Sequence, residues 1–159
     1  MVNLQNNWVL WNHSINDNNW AMNSYNKLYT LTNLYDYKLL EEVVSNNNLQ
    51  NTMLFLMRDE IFPIWEHPDN RMGSCASFKV PSKDILTTWN ALIKNCIIEN
   101  LENNVENYDN INGISISPKK EFNIIKIWFK DNIETLKTIN TIEPYICEEN
   151  CRMKKHIAD

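Results

Sequence analysis

The sequence predicts an α+β fold: an antiparallel sheet of about seven or eight short strands with three helices packed on one face. Two patterns predict it. Apolar residues alternate with polar ones in Ala76, Phe78 and Val80 and again in Ile114 and Ile116, the period of a strand covered on one side. Elsewhere they recur every three or four positions, as in Ile85, Trp89, Leu92 and Cys96, the stripe of a helix lying on a sheet. A chain of 159 residues fits one domain around one core, expected over 1–159.

Taken in order, residues 8–11 read as a short strand and the polar run 12–19 as a surface loop. Residues 25–31 form a second strand. Thr32 then caps a helix that turns Leu39, Leu40 and Val43 to one side. The continuous apolar run 52–57 is short enough for a buried strand, and a turn at Arg58-Asp59-Glu60 leads to Ile61–Trp65. Ser82 caps the second helix. The acidic, asparagine-rich run 99–112 reads as a loop. A hairpin follows, with strands at Ile114 and Ile124–Trp128 joined by a turn over Pro118–Asn123. A third helix is expected from Asp131 to about Ile142, grouping Ile133, Leu136 and Ile139 and stopped by Pro144.

Composition narrows the function. A net charge of −5 argues against wrapping long nucleic acid but allows a site for one base and a few phosphates. With glycine only at 73 and 113, a phosphate-cradling loop of the GxxxxGK or GxGxxG kind cannot form. No GxSxG or HExxH is present, and the three histidines have no acid–base neighbours in sequence, so enzyme chemistry is not expected. No apolar run is long enough to span a bilayer and the amino end lacks a leader pattern, so the chain reads as cytoplasmic with reduced thiols and no membrane contact. Cys75 and Cys96 read as core residues. Cys147, Cys151 and His156 miss zinc spacing and lack a fourth ligand, so no metal or cofactor is expected. The excess of asparagine is what an A- and T-rich genome encodes, as in a protist or a giant DNA virus. The six tryptophans need another reason. Trp8, Trp11 and Trp89 fall at core positions. Trp20 and Trp65 sit in loop sequence, where a large aromatic is either a stray core residue or a binding residue.

Four stretches resemble the eukaryotic translation initiation factor 4E family, in its order and nearly its spacing. They are residues 4–11, Trp20, the run Ile61-Phe62-Pro63-Ile64-Trp65-Glu66, and the hairpin from Gly113 to Trp128. Trp89 also fits, so the resemblance covers about residues 4–143. It implies a curved sheet with the helices on the convex face and a site on the concave side for the 7-methylguanosine cap of messenger RNA. Trp20 and Trp65 would sandwich the cationic base, Glu66 would accept from the guanine edge, and Trp128 would line the space for the N7 methyl. Lys119 matches a basic phosphate ligand of the family. Ile124 and Cys75 fall where the family is basic, so Lys126, on the same strand face as Ile124 and Trp128, is expected to supply charge, helped by Lys120 and Arg71.

The resemblance also implies a partner: an initiation factor 4G-like scaffold or a 4E-binding protein docking on the helical side, the chain being otherwise monomeric. Tyr37, Asn90 and Lys94 occupy the family's apolar partner positions, which points to a diverged scaffold. The segment after Arg152 either approaches the phosphates or frays as a basic tail. The expected function is cap binding in translation initiation, with a cap-binding repressor or decoy as the alternative. A decapping hydrolase would need clustered acids, whereas Glu41-Glu42 and Glu148-Glu149 are adjacent pairs that diverge.

Overall fold

A computed structural model describes residues 2–157. Its strands are β1 (Asn3–Ser14), β2 (Asn26–Asn33), β3 (Thr52–Arg58), β4 (Ser74–Pro81), β5 (Ile111–Pro118), β6 (Phe122–Phe129) and β7 (Cys151–Lys155). They form one sheet in the order β2-β1-β3-β5-β6-β4-β7, every pair antiparallel. Alternation divides the side chains between two faces. Leu54, Leu56, Ile114, Ile116, Ile125, Ile127 and Phe78 enter a large core under the helices. Phe55, Met57 and Trp128 form a smaller cluster on the other face with Trp11, Tyr25 and Ile61. Residues 53–57 are apolar throughout because β3 sends side chains into an apolar cluster on each face.

Helix α1 (Leu34–Val43) is capped by Asn33 rather than Thr32. Asn33 Oδ1 accepts from the Asp36 amide, while the buried Asp36 carboxylate accepts from the Asn33 and Thr32 amides and from the Tyr29 hydroxyl. These bonds hold the Asp36 carboxyl below its ordinary value although burial opposes them. The short α2 (Asn46–Asn51) has its own capping box at Ser45 and buries only Leu49. Helix α3 (Ile85–Ile97) buries the expected stripe of Ile85, Trp89, Leu92 and Cys96. It begins three residues after Ser82 because Ser82–Asp84 form a 3₁₀ turn.

The expected helix over 131–142 is absent. Leu136 and Ile139 are buried, but the backbone bonds sideways: the Asn103 amide donates to Thr138, the Asn140 amide to Leu101, and Ile142 exchanges with Ile146. Threonine, isoleucine and asparagine dominate this stretch and favour helix weakly, so strand-like pairing takes the amides instead. The expected polar loop also begins later than 12, because β1 continues through Ser14. Within 99–112, the Glu99 carboxylate meets the Arg58 guanidinium at 2.7 and 3.0 Å, and that guanidinium lies 4.4 Å from the Trp8 ring centre. Arg58 Nε donates to the Ile111 carbonyl at 2.8 Å, fixing the start of β5. Both glycines stand where backbone approaches closely. A Cβ on Gly113 would lie 2.6 Å from the Leu56 carbonyl oxygen, and one on Gly73 would lie 1.9 Å from that of Phe129.

Candidate functional site

The sheet face opposite the helices carries a cleft of about 450 Å³. Met53 and Phe55 of β3, Ser115 and Ser117 of β5, and Ile124, Lys126 and Trp128 of β6 line its floor. Two loops wall it. Trp20 stands on the loop after β1, and Trp65 and Glu66 on the loop between β3 and β4. The two indoles are 52% and 49% exposed, in contrast to the fully buried Trp8 and Trp89. Large apolar side chains left this open around one cleft mark it as a candidate binding surface.

Each jaw is held from behind. The Trp20 ring stacks on the His13 ring at 4.0 Å, nearly parallel at 5°. His13 is itself fully buried, with Nε2 2.7 Å from the Asn19 carbonyl oxygen and 3.1 Å from Ser24 Oγ, and Nδ1 2.9 Å from the Ser14 carbonyl oxygen. Asp17 and Asn19 tighten the loop by accepting from the Asn19 and Ala21 amides. Behind Trp65, the buried Asn70 donates to the Phe62 and Ile64 carbonyls at 3.1 and 2.9 Å. Asn112 donates to Asn70 Oδ1 and to the Asp69 carbonyl, and His156 Nδ1 lies 2.6 Å from the Asn70 carbonyl oxygen.

Trp128 is nearly buried, and its Nε1 donates to Ser115 Oγ at 3.0 Å, which fixes the ring at the cleft floor. Glu66 is exposed at the rim. Burial and then the Glu66 charge push the Tyr25 phenol above its ordinary value, so Tyr25 faces the cleft as a neutral hydroxyl.

The site residues expected from sequence separate into groups. Trp20, Trp65, Glu66, Trp128, Lys119 and Lys126 come together around the one cleft. Ile124, Lys126 and Trp128 share its floor, as strand alternation requires. Lys120 is exposed at the hairpin tip and does not line the cleft. Arg71 lines a separate hollow with Gly73 and Asn132. Tyr37 is half-buried between α1 and α3, where its hydroxyl donates to the Asn90 carbonyl at 3.3 Å. Burial, then the Glu41 carboxylate, push that phenol up to about 12. Lys94 is exposed one turn beyond Asn90.

Sequence reasoning missed His13, Asn70 and Asn112. The asparagines flank the Trp65 motif and the hairpin, but in an asparagine-rich chain they read as composition. His13 lies two residues after Trp11, on the same strand face as that indole, and this spacing was the available signal. The segment after Arg152, expected either to approach the phosphates or to fray as a basic tail, runs as strand β7 to Lys155, paired with β4, and residues 158–159 lie outside the described residues.

The family model described as eukaryotic initiation factor 4E matches residues 3–154. The chain belongs to that family. The match runs into β7 and so includes the start of the stretch that reads as a tail. Among curated relatives, the eukaryotic translation initiation factor 4E of Dictyostelium discoideum is 28% identical over 134 residues, covering 80% of this chain and 52% of the relative. A homolog from Acanthamoeba polyphaga mimivirus is 25% identical over 137 residues, covering 73% and 50%. The chain thus spans about half the length of the curated relatives it matches. Among solved structures, eIF4E-3 of Ascaris suum with an m7G cap superposes with a TM-score of 0.73 at 19% identity, over 84% of this chain and 76% of that one. The C. elegans eIF4E-3 complex with the 4E-binding protein Mextli and a cap analog gives 0.73 at 20%, over 82% and 75%. At these identities the structures establish the shared fold.

Proposed function

We propose that the cleft binds the 7-methylguanosine cap of messenger RNA and that the chain acts by binding, without catalysis, in translation initiation in the cytoplasm. The observation that carries this reading is the pair of half-exposed indoles, Trp20 and Trp65, facing one cleft with a carboxylate beside the second. N7-methylation gives guanine a delocalised positive charge, and an indole face attracts such a ring. Stacking contributes about 1–3 kcal/mol per aromatic contact. His13 occupies the back of Trp20, leaving the opposite indole face for the base. Glu66 accepts from N1–H and the exocyclic amine in charge-assisted bonds that adenine cannot offer. Trp128 closes the floor near the methyl group, and Lys119 and Lys126 meet the phosphates. The Ascaris relative solved with an m7G cap supports this reading.

On the helical side, an initiation factor 4G-like scaffold or 4E-binding protein is the proposed partner. With Tyr37 tied to Asn90 and Lys94 exposed beside them, that face suits a diverged partner, and a cap-binding repressor or decoy is the second reading this geometry favours. Tryptophan fluorescence on titration with 7-methyl-GTP, with GTP as control, tests the cap site. Quenching is expected with the methylated ligand and is expected to vanish in Glu66→Ala. Equal responses to both ligands in the wild-type chain would sink the proposal.

A further inference from the structure

The ring behind the Trp20 jaw sits in a setting that decides where its protons are. His13 is fully buried, and each of its ring nitrogens meets a backbone carbonyl: Nδ1 lies 2.9 Å from the Ser14 oxygen and Nε2 2.7 Å from the Asn19 oxygen. A carbonyl can only accept, and a neutral imidazole carries one N–H, so a neutral ring would set a lone pair against one of these oxygens. The Ser24 hydroxyl, 3.1 Å from Nε2, gives no relief, because it donates its hydrogen to the Ala21 carbonyl at 2.7 Å. Both contacts are met when both nitrogens carry hydrogen, and the ring is then an imidazolium. Its face lies on the Trp20 indole, a surface that attracts a cation. The rest of the surroundings supply no acid to pair with it. On β3, Met53 pairs with His13 and the Thr52 hydroxyl donates to the His13 carbonyl. On the loop, Asp17 accepts from the Asn19 amide, and the Tyr25 ring lies tilted 4.9 Å away. On β2, Lys27 pairs with Trp11, and Glu66 stands on the other loop of the cleft. Among the described residues no carboxylate forms an ion pair with His13.

We infer that His13 sets the charge preference of the Trp20 jaw: as an imidazolium it competes with the cationic methylated base for one indole, so that proton and cap oppose each other. The inference rests on the cap-binding reading and deepens it by making that site answer to protons. His13 does not touch the base; it is a positioning residue that acts through Trp20. A base stacked on the open indole face lies one stacking gap beyond the ring plane, roughly 7–8 Å from the imidazolium. Two like charges at that distance in a half-open site lower affinity by about three- to tenfold. An unmethylated guanine carries no charge to repel. Linkage makes the effect reciprocal: the methylated base drives the proton off His13, and GTP does not. Both ligands carry the same triphosphate, so comparing them isolates the charge of the base.

The test reads the His13 ring of the wild-type chain by nitrogen magnetic resonance at pH 6.5, with its signals assigned through contact with the Trp20 indole. In the free chain both ring nitrogens are expected to show the imidazolium pattern. Bound 7-methyl-GTP should move the ring toward the neutral pattern, and GTP bound to the same extent should leave it in place. His13→Phe keeps an aromatic ring behind Trp20 and removes the charge. It should bind 7-methyl-GTP about three- to tenfold more tightly than the wild type does, with GTP unchanged. A ring that merely props the indole predicts otherwise: no gain in His13→Phe, or an equal gain for both ligands, overturns the inference. If His13→Phe fails to fold, the wild-type spectra decide. A ring with one N–H in the free chain, or one that 7-methyl-GTP leaves unmoved, overturns the inference as well. Failure of the cap reading looks different: 7-methyl-GTP and GTP then bind the wild type alike, and the inference falls with it. With that discrimination intact and the ring unmoved, the inference alone falls.

Discussion

The jaws of the cleft, Trp20 and Trp65, ride on loops, whereas its cations, Lys119 and Lys126, ride on the β5–β6 hairpin. A loop side chain stands where the groups behind it put it. Trp20 depends on the buried His13, and the Trp65 loop depends on Asn70 and Asn112. A strand side chain is placed by register alone, so a charge can move two residues along a strand, or to the neighbouring strand, with no change to the backbone. That difference accounts for the pattern the sequence resemblance implies, a base side kept as the family has it and a phosphate side changed at Ile124 and Cys75. Stacking needs two parallel planes at a fixed gap. A triphosphate accepts a positive charge from many directions.

The largest effect expected is on the jaws. Trp65→Ala removes one stacking face and should weaken 7-methyl-GTP roughly 5- to 150-fold, from a loss of about 1–3 kcal/mol. Thermal unfolding should barely change, because the indole is half-exposed. Calorimetric titration beside a melting curve checks both, and an equal fall in stability would mean that Trp65 is a packing residue.

Next comes the frame behind the jaws. Asn70→Ala removes three hydrogen bonds from a buried network, two to the Phe62 and Ile64 carbonyls and one from Asn112, although each of those groups keeps another partner, and the loss should cost about 1–3 kcal/mol. Chemical denaturation should show that loss, and 7-methyl-GTP affinity should fall with it as the Trp65 loop loosens. If affinity holds while stability drops, loop placement does not depend on this network, and the contrast between the two sides of the cleft weakens.

What the sequence made legible follows from the same contrast. That Trp20 and Trp65 stand in the open could be read, because tryptophan in polar loop sequence has little packing around it, whereas Glu66 at the cleft was implied by the family resemblance alone. The hairpin and α3 could be read because their apolar periods are long and regular. Helix α2 could not, since six residues carrying one buried leucine have no period. Strand β7 could not, because its five residues end in lysines and resemble a solvated tail. Residues 131–142 were misleading: apolar residues three apart also serve an irregular segment that anchors at intervals and bonds sideways. The asparagines behind Trp65 were hidden by a composition in which asparagine is everywhere.

On the cation side effects should be smaller and blind to the base. Lys126→Ala should lower affinity for 7-methyl-GTP and GTP by the same factor of a few, because a phosphate contact positions the ligand without reading it. Ile124→Lys, which adds charge at a cleft-lining position, should raise both by a similar factor. Fluorescence titrations of the two ligands give the ratio. A change in discrimination between them would mean that these residues reach the base.

The smallest effect concerns His156, where the two sides meet. Its ring lies against the Asn70 carbonyl on the loop side, and Lys126 and Lys154 stand on the strand side. Burial, reinforced by those two ammonium groups and opposed by the Asn70 bond, holds the imidazole below its ordinary value of about 6.5. The folded chain therefore keeps His156 neutral at a pH where the unfolded chain has begun to protonate it. The unfolded state binds more protons in that window, so stability is complete above about pH 6.5 and falls as pH drops through the folded value. Denaturation at pH 7.5 and 5.5 should show this loss in the wild type and a smaller one in His156→Asn. Bound 7-methyl-GTP should shrink the wild-type loss, because a triphosphate beside Lys126 offsets the charge that disfavours the imidazolium. If the ligand leaves the loss unchanged, the phosphates lie away from the strand side, and the charge attributed to Lys126 must be sought elsewhere on the cleft.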